Sequence, residues 1–193
     1  MLDHVARRKA PSISPACGRA GEPLIVETVG NAQLSPRREA DPTTLYPWFS
    51  VTKLFIVKAV LQRVETGKVG LDDPVSDRVR SFRVKGQETP TVRQLVSHTS
   101  GLANPIPVSW IHLVDEPGPT LEPTKARDCA PLPIGLGWHL EVVGNEPMAF
   151  HLGGGGGFRS ELRIYPRLNY AIAVVSNETG FNTATFANLV VRQ

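Results

Sequence analysis

Apolar residues recur at helical spacing in one stretch of the chain and at strand spacing in most of the rest. From Ser50 to Glu65, Leu54, Val57, Leu61 and Val64 form one stripe, and Phe55, Ile56, Ala59 and Val60 widen it. That breadth predicts a central helix packed on most of its sides, stopped by Gly67. Leu71-Asp72-Asp73-Pro74-Val75 places an aspartate and a proline as helix starters. Thr91-Val92-Arg93-Gln94 has the form of a capping box, so a short helix to Ser97 follows, and then His98-Thr99-Ser100-Gly101-Leu102 reads as a tight loop.

Strand patterns occupy both ends. The turn residues Ala20-Gly21-Glu22-Pro23 followed by Leu24 to Val29 predict a hairpin between Ser12 and Asn31. His139–Val143, Met148–Leu152, Phe158–Tyr165 and Tyr170–Ser176, separated by short turns, predict an antiparallel meander. A last helix from about Asn182 to Val191 has Phe186, Leu189 and Val190 on its apolar side. Residues 2–9 suit a short helical turn, Ser35 to Thr44 a surface connection, and the Pro-rich residues 104–133 irregular structure or a flap.

Composition narrows the class of protein. A chain of 193 residues suits a single domain with a sizeable core, and 41% hydrophobic with 20% charged residues is a globular balance. The net charge of +3 is spread along the chain, with Arg7-Arg8-Lys9 and Arg37-Arg38 as short solvated runs, so no nucleic-acid partner is expected. Cys17 and Cys129 are too few for a disulfide framework and lie in no metal-ligand pattern; free thiols are expected, with no metal and no cofactor. No leader-like or membrane-spanning stretch is evident, which makes a cytoplasmic location, away from the membrane, the expectation.

Candidate chemistry centres on Phe49-Ser50-Val51-Thr52-Lys53. Residues three apart share a helix face, so the Ser50 hydroxyl and the Lys53 amine can meet at the helix start. There the helix macrodipole disfavours an ammonium by roughly 0.3–1 kcal/mol, and partial burial would act in the same direction, toward an amine able to serve as a base. Taken alone, the pair reads as a helix-capping serine and a snorkelling lysine. His4, His112 and His139 have no partner at ligand or triad spacing, and Trp48, Trp110 and Trp138 read as packing residues.

Further blocks change that reading. Phe49 to Lys53, Glu65 to Val75, Thr91 to Leu102, Gly135-Leu136-Gly137-Trp138, and His151-Leu152-Gly153 through Gly157-Phe158 together resemble the serine β-lactamase and penicillin-binding-protein-like hydrolases, in the family's order. The likeness is to the class C β-lactamase branch with its family VIII esterases. It implies a β-lactamase/transpeptidase-like α/β fold of α+β type: a mostly antiparallel sheet built from both ends of the chain and flanked by helices.

The same resemblance implies that Ser50 is the acylated nucleophile and Lys53 its base. His151-Leu152-Gly153 matches the third motif, with histidine where many lactamases have lysine, so His151 and Gly153 would line the site. The N–H groups of Ser50 and Gly154 would form the oxyanion hole. In the family the loop at His98 is structural. Small carboxylic esters are the implied substrates, with β-lactams possible; a β-lactamase proper and a penicillin- or peptide-binding remnant without turnover are the alternatives.

One departure matters. Family members carry a helical segment with a Tyr-x-Asn motif between the His98 block and Gly135, and here the Pro-rich stretch stands there. Tyr46, Tyr165 and Tyr170 are the chain's tyrosines, and none precedes an asparagine by two. Lys53 would act alone, or recruit His98, His139 or a second subunit, or the site would be inert. Loss of the helical lobe would also bare apolar surface on the central helix, leading to coverage by residues 104–133 or to a homodimer.

Overall fold

A computed structural model describes residues 11–82, 89–102 and 134–191. The expectations for residues 2–9 and 104–133, with His4, Trp110, His112 and Cys129, lie outside the described residues, as do those for the side chains of Leu189 and Val190.

Both ends of the chain build one antiparallel sheet. The amino-terminal strands are β1 (Ser12–Arg19), β2 (Ile25–Val26), β3 (Val29–Leu34) and β4 (Arg37–Glu39); the later ones are β5 (His139–Val143), β6 (Glu146–Gly155), β7 (Phe158–Tyr165) and β8 (Tyr170–Ser176). Their order is β4-β3-β1-β8-β7-β6-β5, with β2 paired on β1. First and last strands meet at the centre, Ile13 opposite Ser176 and Arg19 opposite Tyr170. The predicted meander is present with β5, β7 and β8 at the expected residues, while β6 runs longer at both ends.

Strand alternation divides β7 between two layers. Glu161, Arg163 and Tyr165 face α4 (Thr183–Val191), where Arg163 donates to Asn188 Oδ1 at 2.6 Å and to the buried Glu161 carboxylate. Ile13, Met148, Tyr165, Ile172, Val174, Phe186 and Ala187 make the hydrophobic core on this side. Ser160, Leu162 and Ile164 face the opposite side, toward α1 (Thr52–Glu65).

Beside α1, the short helices α2 (Val75–Arg78) and α3 (Val92–Val96) close a second core of Val57, Val75, Val92 and Val96. The predicted capping box is formed: the Gln94 N–H donates to Thr91 Oγ1 at 3.2 Å, and the Thr91 N–H to Gln94 Oε1 at 2.9 Å. Asp72 takes a forked bond from Arg93, while Asp73 accepts from Arg78 and from the Gly70 N–H at 2.8 Å. The Leu71-to-Val75 block therefore fastens α2 and α3 to the end of α1.

Two expectations require correction. Central burial of α1 does not hold: Leu54 and Val57 are buried, but Phe55 is 60% and Ile56 64% exposed, because the sheet and the small helices cover only part of its circumference. The wide apolar stripe thus includes exposed surface. The Ser35 to Thr44 connection also contains β4, which hairpins back on β3 through Leu34 opposite Arg37. Among the described residues, no helix is long and apolar enough to cross a membrane.

Candidate active site

Ser50 lies in a single 3₁₀ turn, Phe49–Val51, that runs directly into α1. Residues three apart at a helix start share a face, and Lys53 Nζ donates to Ser50 Oγ at 2.7 Å. Ser50 is partly buried and Lys53 exposed, so the partial burial expected of the lysine is not found. Phe49 has φ 46°, a conformation that costs a bulky residue on the order of 1–3 kcal/mol and must be imposed by its surroundings.

The sheet supplies that constraint. Ser160 Oγ on β7 donates to the Trp48 carbonyl at 2.8 Å, which ties the residue before Phe49 to the strand. On β6, Gly153 comes so close that an added Cβ would lie 2.3 Å from Trp48 O, 2.3 Å from Ser160 Oγ and 3.2 Å from Ser50 N. Only glycine fits this approach. Gly154 faces the other side of the sheet, where a Cβ would meet Arg159 Nη1 at 2.7 Å.

The glycine run ends in a tight hairpin. Gly156 and Gly157 have φ 53° and 85°, both positive, as a type I′ turn requires, and Gly155 pairs with Phe158 across it. β5 is in register with β6 only as far as His139 opposite Phe150. The edge of β6 beyond His151 is therefore not covered by β5.

Three histidines gather at that edge. His151 is 5% exposed, and its ring centroid lies 5.4 Å from His139 and 6.2 Å from His98. His151 Nδ1 is 2.7 Å from the Leu152 carbonyl; as a carbonyl only accepts, Nδ1 carries the proton and, in the neutral ring, Nε2 is the acceptor. Burial holds the His151 pKa below the usual histidine value, with the charges of His139, Lys53 and His98 adding to the effect and the Leu152 bond opposing it. His98, at φ 58°, is held low first by partial desolvation, then by the charges of Lys53 and His139. Among the described residues, no three His, Cys, Asp or Glu side chains converge as a metal site.

The sites read from sequence thus fall together: Ser50, Lys53, His151 and Gly153 line one region, with Gly154 next along β6. His98, expected in a structural loop, and His139, expected to lack a partner at triad spacing, are the two histidines that Lys53 would recruit, and both bring their rings to His151. Lys53 and His98 also open onto one cavity of about 1110 Å³, with Ile56, Val60, Val79 and Leu102 among its apolar walls. None of the tyrosines serves this region: Tyr46 Oη is bonded to Ser12 Oγ at 2.7 Å, and Tyr165 and Tyr170 pack against each other beside the opposite core.

A serine-bearing turn wedged against a glycine strand, on a sheet made from both chain ends, has the architecture of the β-lactamase/transpeptidase-like class. The chain belongs to the Beta-lactamase family, whose model matches residues 2–116. It is 33% identical over 99 residues to Protein flp of Staphylococcus aureus, covering 50% of this chain and 20% of that protein. It is 28% identical over 180 residues to Esterase EstB of Burkholderia gladioli, covering 91% of this chain and 43% of that protein. The chain therefore spans less than half the length of these relatives. The octameric penicillin-binding protein homologue from Pyrococcus abyssi superposes with a TM-score of 0.73 at 16% identity, covering 98% of this chain and 75% of that one.

Proposed function

We propose that the protein is a serine hydrolase that forms an acyl-enzyme on Ser50 and cleaves small carboxylic esters. The observation that carries this reading is the 2.7 Å bond between Lys53 Nζ and Ser50 Oγ at a strained helix start. Lys53 in its amine form takes the hydroxyl proton while Ser50 Oγ attacks the acyl carbon.

Developing charge on the carbonyl oxygen is met by two N–H groups. Ser50 is in the first turn of its helix, where N–H groups lack helical acceptors. Pairs in an antiparallel hairpin alternate outward from the turn, so with Gly155 and Phe158 exchanging bonds, Gly154 directs its N–H away from β7 toward the uncovered edge. Each such donor contributes about 2.7–4 kcal/mol to the transition state. The apolar cavity beside Lys53 suits an acyl chain. His151, where a lysine would offer a permanent charge to a carboxylate, supports ester substrates over β-lactams, as does the similarity to Esterase EstB.

Intact-mass analysis with a fluorophosphonate, beside turnover of a 4-nitrophenyl ester and a chromogenic cephalosporin, tests the reading. The expected result is one adduct on Ser50, faster ester than cephalosporin turnover, and loss of both adduct and turnover in Ser50→Ala. Equal ester turnover in wild type and Ser50→Ala would overturn it. Persistent labelling by a β-lactam without turnover would identify a binding protein instead.

A further inference from the structure

We propose that His98 is the proton-exchange partner of Lys53, the group that takes a proton from the lysine and later activates the water that releases the acyl group. The inference rests on the acyl-enzyme reading above and supplies what that reading lacks, a second base. A lysine that donates to its serine cannot deprotonate it; some neighbour must first accept a proton from the ammonium.

Geometry singles out His98 among the described residues. The tyrosines are bonded or packed elsewhere, and the His98 ring stands edge-on to His151 at 6.2 Å, on the cavity it shares with Lys53. Its backbone is in the left-handed region at φ 58°, set there by the end of α3, where the His98 N–H bonds Leu95 O at 3.2 Å and the Thr99 N–H bonds Gln94 O at 2.9 Å. That turn brings the imidazole beside His151, on the cavity that Lys53 also lines. His98 is also exposed, so water reaches it, whereas His151 is buried. Among the described residues, the charged and titratable groups facing His98 are Lys53 from α1, His139 from β5 and His151 from β6, with Arg63 of α1 and Arg78 of α2 on the shared cavity, and none of these is acidic. They favour a neutral imidazole at rest, the form able to accept.

The proton count closes. One proton passes from the Lys53 ammonium to His98, leaving an amine and an imidazolium. The amine takes the Ser50 hydroxyl proton as the Oγ–acyl bond forms, and the imidazolium protonates the departing alkoxide as the ester C–O bond breaks. Neutral His98 then takes a proton from water as its oxygen bonds the acyl carbon. The Lys53 ammonium returns a proton to Ser50 Oγ as the acyl-enzyme bond breaks, which regenerates the amine and the imidazolium.

The test uses the full chain with 4-nitrophenyl acetate and a fluorophosphonate. His98→Asn keeps a residue that tolerates positive φ, and His98→Gly opens space for added imidazole. Expected are a kcat loss of roughly 10²–10⁴-fold in both variants, disappearance of the acidic limb of the kcat–pH profile, and recovery of His98→Gly turnover with imidazole. Slowed but complete fluorophosphonate labelling of the variants shows that they are folded. Wild-type kcat in His98→Asn overturns the proposal, and so does a loss that imidazole does not rescue and that leaves the pH profile unmoved. Absence of labelling at Ser50 in the wild type marks instead the failure of the acyl-enzyme reading, on which this proposal depends.

Discussion

The Ser160 hydroxyl donates to the Trp48 carbonyl at 2.8 Å across 112 residues of sequence, joining β7 to the turn that carries Ser50. Ser160 is 1% exposed, so the bond is shielded from water. Trp48 O also accepts from the Val51 N–H at 3.2 Å and is not orphaned when the hydroxyl is removed. Ser160→Ala is expected to lower stability by only about 0.5–1.5 kcal/mol, as for one net hydrogen bond. Its effect on kcat should be larger, because the strained Phe49 is then held on one side fewer. Urea melts beside ester kinetics check this; a kcat loss no greater than the stability loss would remove Ser160 from the positioning of Ser50.

Gly153→Ala is expected to damage the site more than any other single-methyl change. The new Cβ would be 2.3 Å from both Trp48 O and Ser160 Oγ, which forces the Ser50 turn away from β6. Displacing the nucleophile by about 1 Å is worth on the order of 10²-fold in rate. Fluorophosphonate labelling rates for wild type and variant measure the effect, with circular dichroism to confirm the sheet.

Much of this site was legible in the sequence, and the parts that were not have a common cause. The helix start, the Ser50–Lys53 pair, the capping box at Thr91 and the strand limits of β5, β7 and β8 all follow from local periodicity or from side chains a few residues apart. The grouping of His98, His139 and His151 depends on the register of β5 on β6 and on the left-handed turn after α3, neither of which leaves a mark in local pattern. β4 was missed because Arg37, Arg38 and Glu39 are exposed, so no alternation betrays a strand. The burial of α1 was overestimated because an apolar stripe states which residues tolerate burial, while coverage depends on what packs there.

Acid sensitivity should appear in two separate ranges. Desolvation keeps the folded pKa of His98 and His151 below the ordinary 6.5, so the unfolded chain binds protons that the folded chain resists. Above pH 6.5 their contribution to stability is complete, and it is lost as pH falls from 6.5 through the folded values. Asp72 and Asp73, held low first by their bonds to Arg93 and Arg78, keep their contribution until pH falls below 3.8. Melting temperature measured against pH should therefore drop in two steps. The double variant His98→Asn, His151→Asn should flatten the upper step and leave the lower one unchanged.

The capping box gives a prediction that reaches from local structure to the site. α3 is five residues long, too short to persist on propensity, and depends on the Thr91 and Gln94 bonds and on burial of Val92 and Val96. Thr91→Ala removes the acceptor for the Gln94 N–H and is expected to destabilise the fold by about 0.5–2 kcal/mol, whereas Thr91→Ser should retain most of the stability. The same helix end supplies the Leu95 and Gln94 carbonyls that fix the turn at His98. Thr91→Ala should then also lower ester turnover at temperatures where the protein remains folded. Denaturation midpoints and kcat for both variants decide it: a fall in stability with unchanged kcat would show that the His98 turn holds its shape without the box.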